Sequence, residues 1–274
     1  MTEKRNTKKK TADREVHKPF LTGSATDERT GKSSLAFFGT MIVIFLVAFI
    51  ACLSATSNTS VLRLVINSAV IILEMIILFN NGLKKGTEDV AKGEILWQKK
   101  EKGQPFSDSE QKICFHPLKG YLTGLIGTLI FIIPAVFLAL NTSVQMTGAG
   151  GLPSWMQTYT RRSDIGNALV SYTQPAGMAL IDYIRAFVRV TILPFVNLVG
   201  NSDRSGLMIL ERISPMILLL PAAAYGTGYL SGRKVRTQIH TAISENDRKR
   251  IRKEQKKRRE RTSAERSREP EQLN

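Results

Sequence analysis

Cysteine and histidine are nearly missing from this chain, with 2 and 3 among 274 residues. No C-x-x-C pair occurs, and no His, Cys or carboxylate cluster falls at ligand spacing, which weighs against a zinc site or a disulfide framework. His116 stands alone in this respect. The nucleophile elbow G-x-S-x-G and the phosphate loop are absent too; Gly31-Lys32-Ser33 lacks the upstream glycine that a phosphate loop needs. No catalytic residue, cofactor or metal is therefore assigned, and an enzyme is the least favoured class.

Charge is missing in a more informative way. Lys and Arg outnumber Asp and Glu by 39 to 23, yet charge is almost excluded from a few long apolar runs. A soluble core would spread its apolar residues at helix or strand spacing. Three runs, 35–53, 61–79 and 120–140, are long enough to cross about 30 Å of hydrocarbon at about 1.5 Å per helical residue. A fourth, 213–231, is less oily but uncharged. The first run is too long, and its leader too long, for a cleaved secretion signal. The expected fold is an all-α membrane protein with four transmembrane helices.

Positive charge beside a span marks the cytoplasmic side. Residues 1–34 hold 9 Lys and Arg, 80–119 hold 8 and 232–274 hold 15, whereas 141–206 hold 5. Both termini and the middle loop are thus expected on the cytoplasmic face, in a multi-pass protein of the plasma membrane, read as bacterial. Four spans satisfy this and five do not, which removes 178–199 as a span. Asp182, Arg185 and Arg189 form a narrow polar stripe on that stretch. An amphipathic helix over 178–193 is therefore expected to cap the outer face within the outer region 141–206, lying in the interface or packing on the outer ends of the spans, with Pro194 ending or kinking it. A hairpin dipping into the membrane is the alternative.

The segments outside the spans are read as follows. Residues 1–34, with Lys8-Lys9-Lys10, are polar and expected to be disordered. In 80–119, Trp97 next to Lys99 and Lys100 suggests a short helix on the inner headgroup layer. From Ser244, paired with Asp247 as a capping-box-like start, a separate solvated basic helix is expected. Glu245 with Lys249 and Glu254 with Arg258 are its favourable i, i+4 pairs. Its polyanion-binding candidates are Arg248, Lys249, Arg250, Arg252, Lys253, Lys256, Lys257, Arg258 and Arg259. Cys52 and Cys114 fall on opposite sides of the membrane and cannot pair.

Within the spans, Arg63, Asn67 and Glu74 share one face of the second helix, and Ser60 and Asn81 extend that stripe. Glu74 is too deep to snorkel, and an acidic residue there costs roughly 3 kcal/mol in an isolated helix. It is expected to be buried in the bundle, as structural glue or on an ion path. Small-residue ladders, Gly120 and Gly124 on the third span and Gly226 and Gly228 on the fourth, are expected to bring those helices together.

Two functions follow as expectations. The first is a non-enzymatic membrane protein whose basic tails bind anionic lipid, nucleic acid or the ribosome, or simply fix orientation. The second is a transporter, channel or accessory permease subunit using the polar face of the second span. With four spans and no internal repeat, the second would need a homo-oligomer or a partner membrane subunit.

Overall fold

The computed structural model describes residues 16–55, 60–142, 180–200 and 204–266, with positions 159, 162, 164 and 165 between them. Helix is the only regular structure among the described residues. The elements are α1 (Thr30–Ala55), α2 (Ser60–Glu101), α3 (Asp108–Lys112), α4 (Lys119–Asn141), α5 (Leu180–Thr191), α6 (Leu193–Val199) and α7 (Arg204–Arg266). Four of them, α1, α2, α4 and α7, are long and apolar enough to cross a membrane. Each of the four apolar runs lies inside one of these helices.

The long helix α7 is the hub, and its most extensive contacts are with α2 and α4. Gly120 lies against Tyr229 and Gly124 against Ala222, so α4 and α7 run in opposite directions. Gly82 lies against Tyr225 and Gly86 against Tyr229, so α2 and α7 run side by side in the same direction. Both described chain ends, near Val16 and Arg266, lie toward one end of the bundle, here called the basic end. The main core gathers Phe37 and Met41 from α1, Leu78 from α2, Phe131 and Leu138 from α4, and Leu210 and Leu218 from α7. Large apolar side chains also face outward all around the bundle, among them Val43, Leu46, Ile72, Leu73, Ile133 and Met216. Such a belt is compatible with a membrane surrounding.

Three expectations are corrected. The segment 80–119 is no loop with a short surface helix, because α2 continues unbroken to Glu101, 42 residues in all. Trp97 sits on that helix and donates its indole N–H to Glu101 Oε1 at 2.9 Å. Helix propagation past the apolar run is favoured by its packing against α7, which continues alongside.

Residues 16–29 are not part of a free tail. The Leu21 N–H donates to the Gly93 carbonyl, the Gly23 N–H to that of Phe115, and the Val16 N–H to Thr241 Oγ1. Phe20 packs edge-on against Phe115, whose ring stacks on Tyr229. With Val90 these side chains make a second, smaller core at the basic end. Lys8-Lys9-Lys10 lies outside the described residues.

No separate tail helix starts at Ser244, because α7 passes straight through it for 63 residues. The Ser244 hydroxyl is bonded back to the Thr241 carbonyl at 2.8 Å within the helix, which is not a capping geometry.

The amphipathic helix expected in 141–206 packs on the long helices. It runs over Leu180–Thr191, and α6 follows after a break at Ile192. Residues 178 and 179 lie outside the described residues, as does most of 141–206. Val188, Ile192 and Val196 enter the same core as Phe131 and Leu218, so α5 and α6 form a wedge between the long helices. Arg185, Val188 and Thr191 point inward, while Leu180, Tyr183, Phe187 and Val190 point outward. The charged stripe faces protein and the oily face looks out, the reverse of a helix resting on headgroups. The reason is a buried carboxylate on α7.

Candidate functional site

The polar face of α2 is met by the wedge. Asn67 is fully buried. Its Nδ2 donates to the Arg63 carbonyl at 2.7 Å, and its Oδ1 accepts from Asn197 Nδ2 of α6 at 3.3 Å. Asn197 also reaches the Cys52 carbonyl at 3.4 Å, tying α1, α2 and α6 at one point. The half-buried Arg63 lies beside Gly200, the residue after α6, whose φ of +91° suits glycine. Glu74 is buried two turns further along, and no hydrogen bond or ion pair holds its carboxyl among the described residues. The structure thus brings Arg63 and Asn67 to the wedge and leaves Glu74 apart from both.

The glycines divide between two seams. A Cβ on Gly120 would come within 2.5 Å of Tyr229, one on Gly124 within 3.0 Å of Ala222, and one on Gly226 onto the Tyr121 ring. These three lie between α4 and α7. Gly228 does not: a Cβ there would strike the Phe79 carbonyl of α2. It belongs to a tighter seam with Gly82, Gly86 and Gly232, where the backbones of α2 and α7 touch. Gly82 and Gly86 lie beyond the apolar run 61–79, so a search confined to that run passes over them.

Three buried ion clusters were not visible from the chain order. At the far end, Glu211 of α7 accepts from Arg185 Nε at 3.2 Å and Arg189 Nε at 2.8 Å, and from the Thr142 hydroxyl at 3.3 Å. Asp182 shares Arg185 at 3.2 Å. At the basic end, Lys119 Nζ lies 2.8 Å from Asp27 and 3.7 Å from Asp89, and donates to the Ile113 carbonyl. Asp89 also takes the Tyr229 hydroxyl at 2.9 Å and Lys92 at 3.0 Å. Burial pushes the Asp27 carboxyl up, but the Lys119 ammonium and the Thr30 hydroxyl more than reverse this and hold it below the ordinary value. Further along the same side, Glu94 of α2 takes Arg236 through Nε and Nη2 at 3.0 and 2.9 Å, and His240 at 2.7 Å. Each cluster joins residues far apart in sequence. The only signal within reach was the stripe Asp182–Arg185–Arg189, which implied a partner without naming Glu211.

The basic stretch of α7 is the remaining candidate. The last side chain it buries is His240. From Arg248 through Thr262 every side chain is exposed. Between 245 and 262 the chain carries 10 Lys and Arg against 4 Asp and Glu. All nine candidate residues, from Arg248 to Arg259, lie on this rod. Its described pairs are Arg250 with Glu254 at 3.3 Å and Lys256 with Glu260 at 3.8 Å. Glu254 therefore turns to Arg250 and not to Arg258. Among the described residues no group of three His, Cys, Asp or Glu could hold a metal ion. Comparison with protein-family models, with curated proteins and with solved structures found no match.

Proposed function

We propose that this chain is a multi-pass, non-enzymatic membrane protein that holds a basic helix well clear of the cytoplasmic face, for a soluble polyanion of nucleic-acid type. The observation that carries this reading is the continuity of α7 from its apolar run into the exposed basic stretch. The run ends at Ser231, and Arg248 and Arg261 lie 17 and 30 residues further along the same helix. At about 1.5 Å per residue those charges stand roughly 25 to 45 Å along the axis from the end of the apolar zone. The headgroup layer takes up only about 5–8 Å of that distance, and screening at physiological salt acts within about 8 Å. Contacts of α2 and residues 16–24 with α7 up to Thr241 support the base of the rod, so it is not free to fold back onto the bilayer. Anionic lipid is therefore disfavoured as the partner of the tail.

The rod offers charge without aromatic stacking, so recognition is of backbone phosphates and not of base sequence. RNA or ribosomal surface fits this, with the cytoplasmic side set by the charge asymmetry. The transport reading is less supported, because the polar face of α2 is filled by Asn197 and the wedge at the level of Asn67.

The test uses the intact protein in nanodiscs and a form ending after Ser244, which keeps the contacts described above between α7 and the bundle. The intact form should bind RNA and double-stranded DNA alike, losing about 10³-fold between 50 and 200 mM salt if some six phosphates are neutralised. The shortened form should bind neither. Equal binding by both forms, or binding insensitive to salt, overturns the proposal.

A further inference from the structure

A cleft of about 280 Å³ opens between α1 and α2 at the basic end, and the reading of the tail does not use it. Its polar lining comprises Ser33 and Thr40 from α1, and Asn81, Lys84, Lys85 and Glu88 from α2, with Tyr225 of α7 at its side. Its depth is defined by the sequence. Ser33 precedes the apolar run that starts at Leu35, and Asn81 follows the one that ends at Phe79. The cleft therefore straddles the boundary between the apolar zone and water, where phospholipid headgroups lie.

Its donors are available. Lys84 and Asn81 are exposed, and neither has a side-chain partner among the described residues. Lys85 leans toward Glu88 at 4.0 Å, a weak contact that offsets one charge against the other. One positive charge is left over, at Lys84. The Thr40 hydroxyl is already committed to the Ala36 carbonyl, which leaves Ser33, Asn81 and the buried Tyr225 phenol as the neutral donors.

The faces above the cleft are apolar and uncovered. On α1 the line from Phe37 and Thr40 continues at helical spacing to Val43 and Val47, both about 60% exposed. On α2 the line from Lys84 and Asn81 continues to Ile77 and Leu73, also exposed. A ligand seated here meets one excess positive charge at the headgroup level and two oily helix faces leading into the membrane.

We propose that this cleft is a binding site for a monoanionic phospholipid of the inner leaflet, of phosphatidylglycerol type. The phosphate is held by Lys84, Asn81 and Ser33, and the acyl chains lie along Val43, Val47, Leu73 and Ile77. Glu88, at the far side of the cleft, accepts from a headgroup hydroxyl and disfavours a second negative charge. The single net charge distinguishes this site from the basic rod, whose charge lies far from any headgroup.

Native mass spectrometry of the intact protein in detergent, with phosphatidylglycerol or phosphatidylethanolamine added, tests this. Phosphatidylglycerol should bind one to one, with roughly fivefold preference, and Lys84→Gln should lower that affinity about fivefold. Lys249→Gln removes the same charge from the rod and should leave the phosphatidylglycerol affinity unchanged, whatever it does to polyanion binding there. Both side chains are exposed, so folding is not at stake. Equal binding of the two lipids, or equal losses in the two variants, overturns the proposal.

Discussion

The two ends of the bundle are fastened by ion clusters built around central charges of opposite sign. At the far end one carboxylate, Glu211, collects two arginines from the wedge, and at the basic end one ammonium, Lys119, lies between two aspartates. Each fixes a segment that is not itself a long apolar helix: α5 in the first case, residues 16–29 in the second. They differ in reserve. Without Glu211, Arg185 keeps Asp182, and Arg189 is over a third exposed. Without Lys119, Asp27 keeps only the neutral hydroxyl and backbone N–H of Thr30 among the described residues, while Asp89 keeps Lys92 and Tyr229. A buried charge is dangerous in proportion to how few other partners it has.

That comparison predicts the largest effect for Lys119→Met. It strands a carboxylate that is almost wholly buried, and should cost about 3–5 kcal/mol in unfolding measured in detergent. Glu211→Gln should cost less, about 2–3 kcal/mol, since its arginines retain a carboxylate or water. If the glutamine variant loses as much or more, the difference in reserve is not what separates the two ends.

Packing supplies the next effect. Gly86→Ala drives a methyl into the Tyr229 carbonyl, whereas a Cβ at Gly39 on α1 meets nothing within 4 Å. The first should destabilise by about 1–3 kcal/mol. The second should stabilise by up to about 1 kcal/mol through helix propensity. Thermal melts of the two variants falling on the same side of wild type would show that the α2–α7 seam tolerates separation.

The smallest effect sharpens the comparison through pH. The Asp27 carboxyl is held below its ordinary value in the folded protein, so its contribution is present above that value and is lost as pH falls through the folded one. The stability gap between wild type and Asp27→Asn should therefore be widest at neutral pH and close below about pH 4. A gap that stays constant to pH 3 would mean that Asp27 acts through shape and not charge.

Much of the bundle was legible in the chain because its signal is local. An apolar run needs no partner to declare its length, and Asp182, Arg185 and Arg189 share a face whatever they meet. What that face meets stays open in the sequence, because a polar stripe suits headgroups and a buried carboxylate equally well until Glu211 is located. The extensions failed for a related reason. Residues 80–101 look like a loop when judged by hydropathy, yet α2 stays helical there because α7 runs beside it. Residues 16–29 look disordered by composition, yet Leu21, Gly23 and Phe20 find partners on α2, α7 and the segment before α4. The polar face of α2 was visible, but not that Asn197 would meet it.

By itself the sequence determined four helices long and apolar enough to cross a membrane, with basic charge gathered at both ends and in the middle of the chain. Both properties belong to contiguous residues, through helix length and local charge. The tertiary structure alone decided that α7 is one rod from wedge to basic tip, that Gly82, Gly86 and Gly228 make the closest seam, and that Glu211 and Lys119 fasten the two ends. Those features depend on backbone approach and on pairing across 22 to 146 positions, for which no local residue pattern is a proxy.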